Sequence, residues 1–163
     1  MIIVERITEN INFIDISKFE ADRVLLKHDE LFKVHRKLKT AAGEEIALSL
    51  PAGSSLKDGD VLYRDVQRII FVSLEEEKII IVRPRGNLQW AKAAYNVGNM
   101  HQAAYLKEDG ISIPFDESML RVVKKLGMDY QVCMGRLDGQ RTNIQREGAV
   151  KDHAHSQENS RPK

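Results

Sequence analysis

Four consecutive β-branched residues, Ile79-Ile80-Ile81-Val82, set the strictest condition on this chain. Such a run, stopped by Pro84, reads as a strand buried on both faces, so something has to cover each side of it. The residues that follow supply one cover. Residues 88–97 read as a helix, and Tyr105-Leu106 and Ile111-Ser112-Ile113 as two strands joined through Glu108-Asp109-Gly110, a short Asp-Gly hairpin loop. A second helix has the cleaner period: Met119, Val122, Val123 and Leu126 form one stripe, Asp116 is placed to cap it, and Lys124-Lys125-Gly127 closes it. Tyr130, Val132 and Met134 then alternate as a last strand. The order β-α-β-β-α-β is that of the ferredoxin-like unit, with both helices on one face of a four-stranded sheet. The other face has to be covered by the first part of the chain or by a second copy.

The preceding residues carry strand periods instead. Residues 1–7 are an apolar run of strand length, and Phe32, Val34 and Leu38 alternate, as do Ile46, Leu48 and Leu50. Gly43 between the last two sets predicts a hairpin with its loop at residues 40–44, and Lys33, Arg36, Lys37 and Lys39 give it a solvated basic fringe. Pro51-Ala52-Gly53 and Lys57-Asp58-Gly59-Asp60 are turns, and Val61-Leu62-Tyr63 and residues 69–74 are further strands. The expectation is an α+β protein in three parts. Residues 1–74 form a small all-β domain of the partner- or peptide-binding type, and residues 75–136 a ferredoxin-like domain that begins at the polar break Glu75-Glu76-Glu77-Lys78. Residues 137–163 form a flexible polar tail.

Charge and cysteine content exclude several classes of function. The chain has 163 residues, with 25 Lys+Arg against 24 Asp+Glu, a net charge of +1 that argues against a nucleic-acid partner. Cys133 is the only cysteine, so no intrachain disulfide forms. Nothing at the N-terminus has the basic start and apolar run of a signal peptide, and no segment approaches a membrane span, so the cytoplasm is the expected location. No catalytic constellation is legible. There is no phosphate loop, no Cys-x-x-Cys and no His-Glu-x-x-His, and Cys133 falls mid-strand as a packed residue.

What remains is histidine. Trp90, Ala94, Val97 and His101 are spaced by four, three and four, one stripe of a continuing helix, and Gly98-Asn99 has the composition of a helix end in which Gly98 takes the left-handed conformation. His101 therefore lies on or just past the last turn. It is either a packed, hydrogen-bonded imidazole or a ligand, and spacing alone leaves both open. His153 and His155 sit one residue apart in the polar tail, a pair able to chelate one metal. His28 and His35 are seven apart, an odd separation that projects to opposite faces of a strand, and both read as surface or packing residues.

The segment Tyr95-Asn96-Val97-Gly98-Asn99-Met100-His101 resembles the helix-end signature Y/F-x-x-G-N-R-H of the urease accessory nickel metallochaperones, the UreE family. Leu56-Lys57-Asp58-Gly59-Asp60-Val61-Leu62-Tyr63 is similar to that family's G-D-V-L-Y turn and strand. Residues 39–48 resemble its K-T-x-x-G-x-E-I-x-I hairpin, and Ile81-Val82-Arg83-Pro84-Arg85 its V-I-x-P-R strand end. Together these cover residues 2–150 in the family's order, with Met100 standing where the family usually has arginine. The resemblance implies a non-enzymatic carrier of Ni(II) as cargo for urease maturation. It implies a homodimer that meets urease apoprotein and other urease accessory proteins, including the accessory GTPase. His101 would be the fixed metal ligand, and His153 and His155 would complete the shell. Imidazole ligands also suit zinc and copper, which would compete, and the cargo's identity comes from the resemblance alone. One imidazole cannot hold a transition metal, whereas two related by a two-fold axis can. The alternative is a metal-independent protein-interaction module in which His101 and the β domain serve protein contacts.

Overall fold

The computed structural model describes residues 1–142. The first half builds two three-stranded sheets. In one, β1 (Ile2–Val4) runs parallel to β4 (Glu45–Ser49), which pairs antiparallel with β3 (His35–Lys39). In the other, β2 (Glu20–Leu26) lies parallel to β6 (Arg68–Leu74), which pairs antiparallel with β5 (Val61–Arg64) through a bulge at Leu62. Between them Val24, Leu26, Leu38, Ile46, Leu48, Leu50, Ile70 and Val72 form one core. The hairpin expected at residues 40–44 is present, with the Thr40 N–H bonded to the Glu44 carbonyl across the turn. Strand β1 is shorter than the apolar run suggested. Phe32 belongs to a 3₁₀ turn, His28–Phe32, rather than to a strand.

β2 was not legible in the sequence. Glu-Ala-Asp-Arg-Val-Leu-Leu has no alternation over its first four residues, and it buries only Val24 and Leu26. Its place is fixed by seven parallel partners on β6, a long-range pairing that no local pattern announces.

The second half follows the expected element order. β7 (Glu77–Arg83), α1 (Gly86–Asn99), β8 (Tyr105–Lys107), β9 (Gly110–Pro114), α2 (Glu117–Leu126) and β10 (Asp129–Gly135) succeed one another, and β11 (Gln140–Arg141) adds a fifth strand. The sheet order is β10-β7-β9-β8-β11, all antiparallel. On one face Ile80, Val82, Ile111 and Ile113 pack with Ala93, Val97, Met119 and Val123 from the helices. Each of the larger side chains among them, Ile, Val or Met, contributes about 1.5–3 kcal/mol when taken out of water. Asp116 accepts a hydrogen bond from the Met119 N–H at 2.9 Å, and Gly127 closes α2 in the left-handed conformation, both as read from the sequence. Gly110 is required by close approach: a Cβ there would stand 2.6 Å from the Val82 carbonyl oxygen.

Part of the opposite face is covered from within the chain. Ile79, Tyr105 and Leu137 are buried together beside half-buried Ile81 and Cys133, and the first half reaches this cluster with His28, edge-on to the Tyr105 ring, and Phe32, whose ring meets Arg141. Residues 137–142, which composition assigned to the tail, thus continue the fold. Leu137 is 1% exposed, and Gln140 and Arg141 pair with Leu106 and Tyr105. One buried leucine and a two-residue strand among polar neighbours give too weak a signal to read.

Candidate metal site

Helix α1 carries the residue of interest at its C-terminal end, and it ends differently from the sequence reading. Gly98 is inside the helix, Met100 is the cap, and the left-handed residue is His101 itself, with φ 54°. Its N–H still bonds to the Gly98 carbonyl at 3.0 Å. A non-glycine residue in this region carries a backbone cost of roughly 1 kcal/mol, and such outliers gather where function holds them.

The buried stripe of α1 is also out of phase with the one first drawn. Ala93 and Val97 are buried and Trp90 and Met100 are half-buried against the core, whereas Ala94 and His101 are exposed. The choice between phases was set by Ala93 against Ala94, which composition cannot separate. As a result Trp90, Val97 and Met100 serve their own domain. The outward face of α1 instead presents Leu88, Ala91, Ala94, Tyr95 and Gly98, with Leu88 69% and Tyr95 70% exposed. Small residues and an aromatic ring on one open helix face, leading to His101, are material for close approach by another surface.

His101 has an exposed side chain, and its imidazole makes no hydrogen bond among the described residues. The buried, carbonyl-bonded imidazole that spacing allowed is not what the chain forms. The last carbonyls of α1 lie beside it, and no basic side chain occupies the last turn, so the helix dipole there favours a cation. Among the described residues no group of three or more His, Cys, Asp or Glu side chains comes together in a form that could hold a metal ion. His101 is therefore a single open donor. His153 and His155, the other ligands drawn from the sequence, lie outside the described residues.

The remaining residues singled out take other roles. His28 is largely buried, its Nδ1 is 2.7 Å from Glu77 Oε2, and its backbone N–H donates to the same oxygen at 3.1 Å. It joins the two halves. His35 is exposed on β3, with Nδ1 3.4 Å from Ser49 Oγ. Cys133 is half-buried on β10, beside Ile79.

Comparison with known proteins places this geometry in a context. Residues 4–75 match the family described as UreE urease accessory protein, N-terminal domain, and residues 77–161 the corresponding C-terminal domain. A urease accessory protein UreE from Bacillus cereus is 34% identical over 132 residues, covering 79% of this chain and 87% of the relative. One from Helicobacter pylori is 30% identical over 140 residues, covering 83% and 82%, and one from Acetivibrio thermocellus is 29% identical over 126 residues, covering 77% and 82%.

Proposed function

The chain belongs to the UreE family of urease accessory proteins, and on that premise we propose that it carries Ni(II) as cargo to the maturing urease active site. It acts as an accessory protein rather than as an enzyme. The observation that carries the reading is His101: an exposed imidazole without a hydrogen-bond partner among the described residues, held in a left-handed backbone at the end of a helix whose outward face is apolar. Neutral imidazole is a good donor to nickel, and a site made of imidazoles releases its metal to a competing ligand or a proton without unfolding the protein.

A single donor is insufficient, so the site is completed by a second chain. Two copies meet through the Leu88, Tyr95 and Gly98 face of α1, which brings each His101 near its symmetry mate. His153 and His155 supply further donors. The working division of the chain is a β domain over residues 1–74 for partner contacts, a ferredoxin-like metal-binding and dimerisation domain over residues 75–142, and the remaining residues, which carry the His-x-His pair. The strand order of the second half supports the ferredoxin-like reading. The partners are urease apoprotein and the other accessory proteins, including the GTPase, in the cytoplasm.

Nickel calorimetry with light scattering tests this proposal. The expected result is a dimer at micromolar concentration that binds nickel, with affinity falling below about pH 6.5 as imidazoles take up protons. Truncation after Val150 weakens nickel binding or lowers its stoichiometry and leaves the melting temperature nearly unchanged. A monomer with and without nickel would overturn the shared site. Equal isotherms for the full and truncated chains would remove His153 and His155 from it.

A further inference from the structure

The two halves enclose a second place that invites a ligand, distant in character from His101. A cleft of about 400 Å³ lies between them, walled by Leu31, Phe32 and Leu56 of the first half and by Tyr105, Leu137 and Arg141 of the second. Its walls are mostly apolar, but two polar groups in it are unmatched. Tyr105 is 4% exposed and its hydroxyl is buried without a hydrogen-bond partner among the described residues. Arg141 has Nε and Nη1 buried, likewise without one among the described residues.

These groups are neighbours by construction. Arg141 on β11 is paired with Tyr105 on β8, so the two side chains project from the same face of the sheet, the face turned toward the first half. The guanidinium lies over the Phe32 ring at 4.0 Å, a cation–π contact that fixes its position but satisfies none of its N–H donors. Burial pushes the Tyr105 hydroxyl pKa up, with the Arg141 charge opposing and the Glu77 and Asp29 carboxylates adding to the rise, so the phenol remains a donor.

The two carboxylates that line the cleft are already engaged. Asp138 is 2.5 Å from Lys107 Nζ, and Asp58 accepts the Leu74 N–H at 2.7 Å and faces Arg136 at 4.0 Å. Neither Arg141 nor Lys57 has a carboxylate partner among the described residues. Leaving a buried charge-bearing donor unpaired is costly, and an incoming anion relieves that cost with charge-assisted hydrogen bonds. The cavity has room for a few apolar groups beyond the anion.

We propose that this cleft binds a carboxylate on a short apolar body, with Arg141 and Tyr105 holding the carboxylate and Leu31, Leu56 and Leu137 the apolar part. Because the walls come from both halves, the bound ligand ties them together. A peptide C-terminus and a small free carboxylic acid share this chemistry.

The test is an amide NMR titration of the full metal-free chain with N-acetyl-leucyl-leucine, with its C-terminal amide, and with 4-methylpentanoate. The expected result is shifts at Leu31, Leu56, Tyr105 and Arg141 on adding a carboxylate, with the amide at least about tenfold weaker. Tighter binding of the dipeptide than of 4-methylpentanoate assigns the site to a peptide end, and comparable binding to a small acid. Arg141→Met weakens the carboxylate by about tenfold or more, and Tyr105→Phe, which removes only a hydroxyl, weakens it severalfold. No binding by either carboxylate, equal binding of acid and amide, or wild-type affinity in Tyr105→Phe would each overturn the proposal.

Discussion

His28 and His101 are the same side chain in opposite situations. His28 is largely buried where the two halves meet, bonded to Glu77 through both its ring and its backbone and packed edge-on against Tyr105. His101 is exposed, without a side-chain hydrogen bond among the described residues, and held in a backbone conformation that favours glycine. At the first position the surroundings use the Nδ1 and the ring of the imidazole, so it is part of the fold. At the second they use neither, and the chain bears a conformational cost to keep it there. A histidine that contributes nothing to its own domain is the one free to serve a ligand.

The contrast can be broken by substitution. His28→Ala loses the partly buried ring hydrogen bond to Glu77 and leaves that carboxylate only the backbone N–H at position 28, so chemical denaturation should show a loss of about 1–3 kcal/mol, with nickel binding retained in the folded protein. An unchanged midpoint would mean that the junction does not depend on His28. His101→Gly should go the other way, relieving the left-handed backbone and raising stability by up to ~1 kcal/mol even as it removes the imidazole. Marked destabilisation by that change would show that His101 does pack.

The smallest expected effect is in acid. Glu30 shares the 3₁₀ turn with His28; the Lys27 N–H and the Arg36 guanidinium hold its carboxyl below the usual glutamate range, against a partial desolvation that works the other way. A lowered folded-state value means that its contribution is complete above the usual range and is lost as pH falls through the folded value. Wild type should therefore lose melting temperature between about pH 5 and pH 3 more steeply than Glu30→Gln. Parallel profiles would remove Glu30 from the acid sensitivity of the junction.

How much of this was legible follows from the range of the interactions involved. The cap at Asp116, the stop at Gly127 and the hairpin at residues 40–44 are local, and the sequence states them directly. So is the end of α1, to within a residue or two, because Gly98-Asn99 marks it. The phase of α1 was not legible, since Ala93 and Ala94 are identical and only the core decides which is buried. Nor were β2 and β11, whose places are set by pairing with β6 and β8 rather than by their own pattern. For the candidate site, the position of His101 could be read and its left-handed backbone could not. The glycine three residues earlier was the more natural bearer of that conformation.

The central claim is that His101 is kept for metal and not for the fold. Nickel calorimetry on wild type and His101→Ala, with melting curves of the metal-free proteins alongside, tests it most directly. The account predicts that the tightest nickel site disappears while the metal-free melting temperature stays nearly unchanged, because losing an exposed imidazole removes little buried area. A His101→Ala protein that binds nickel like wild type and melts markedly earlier would contradict it.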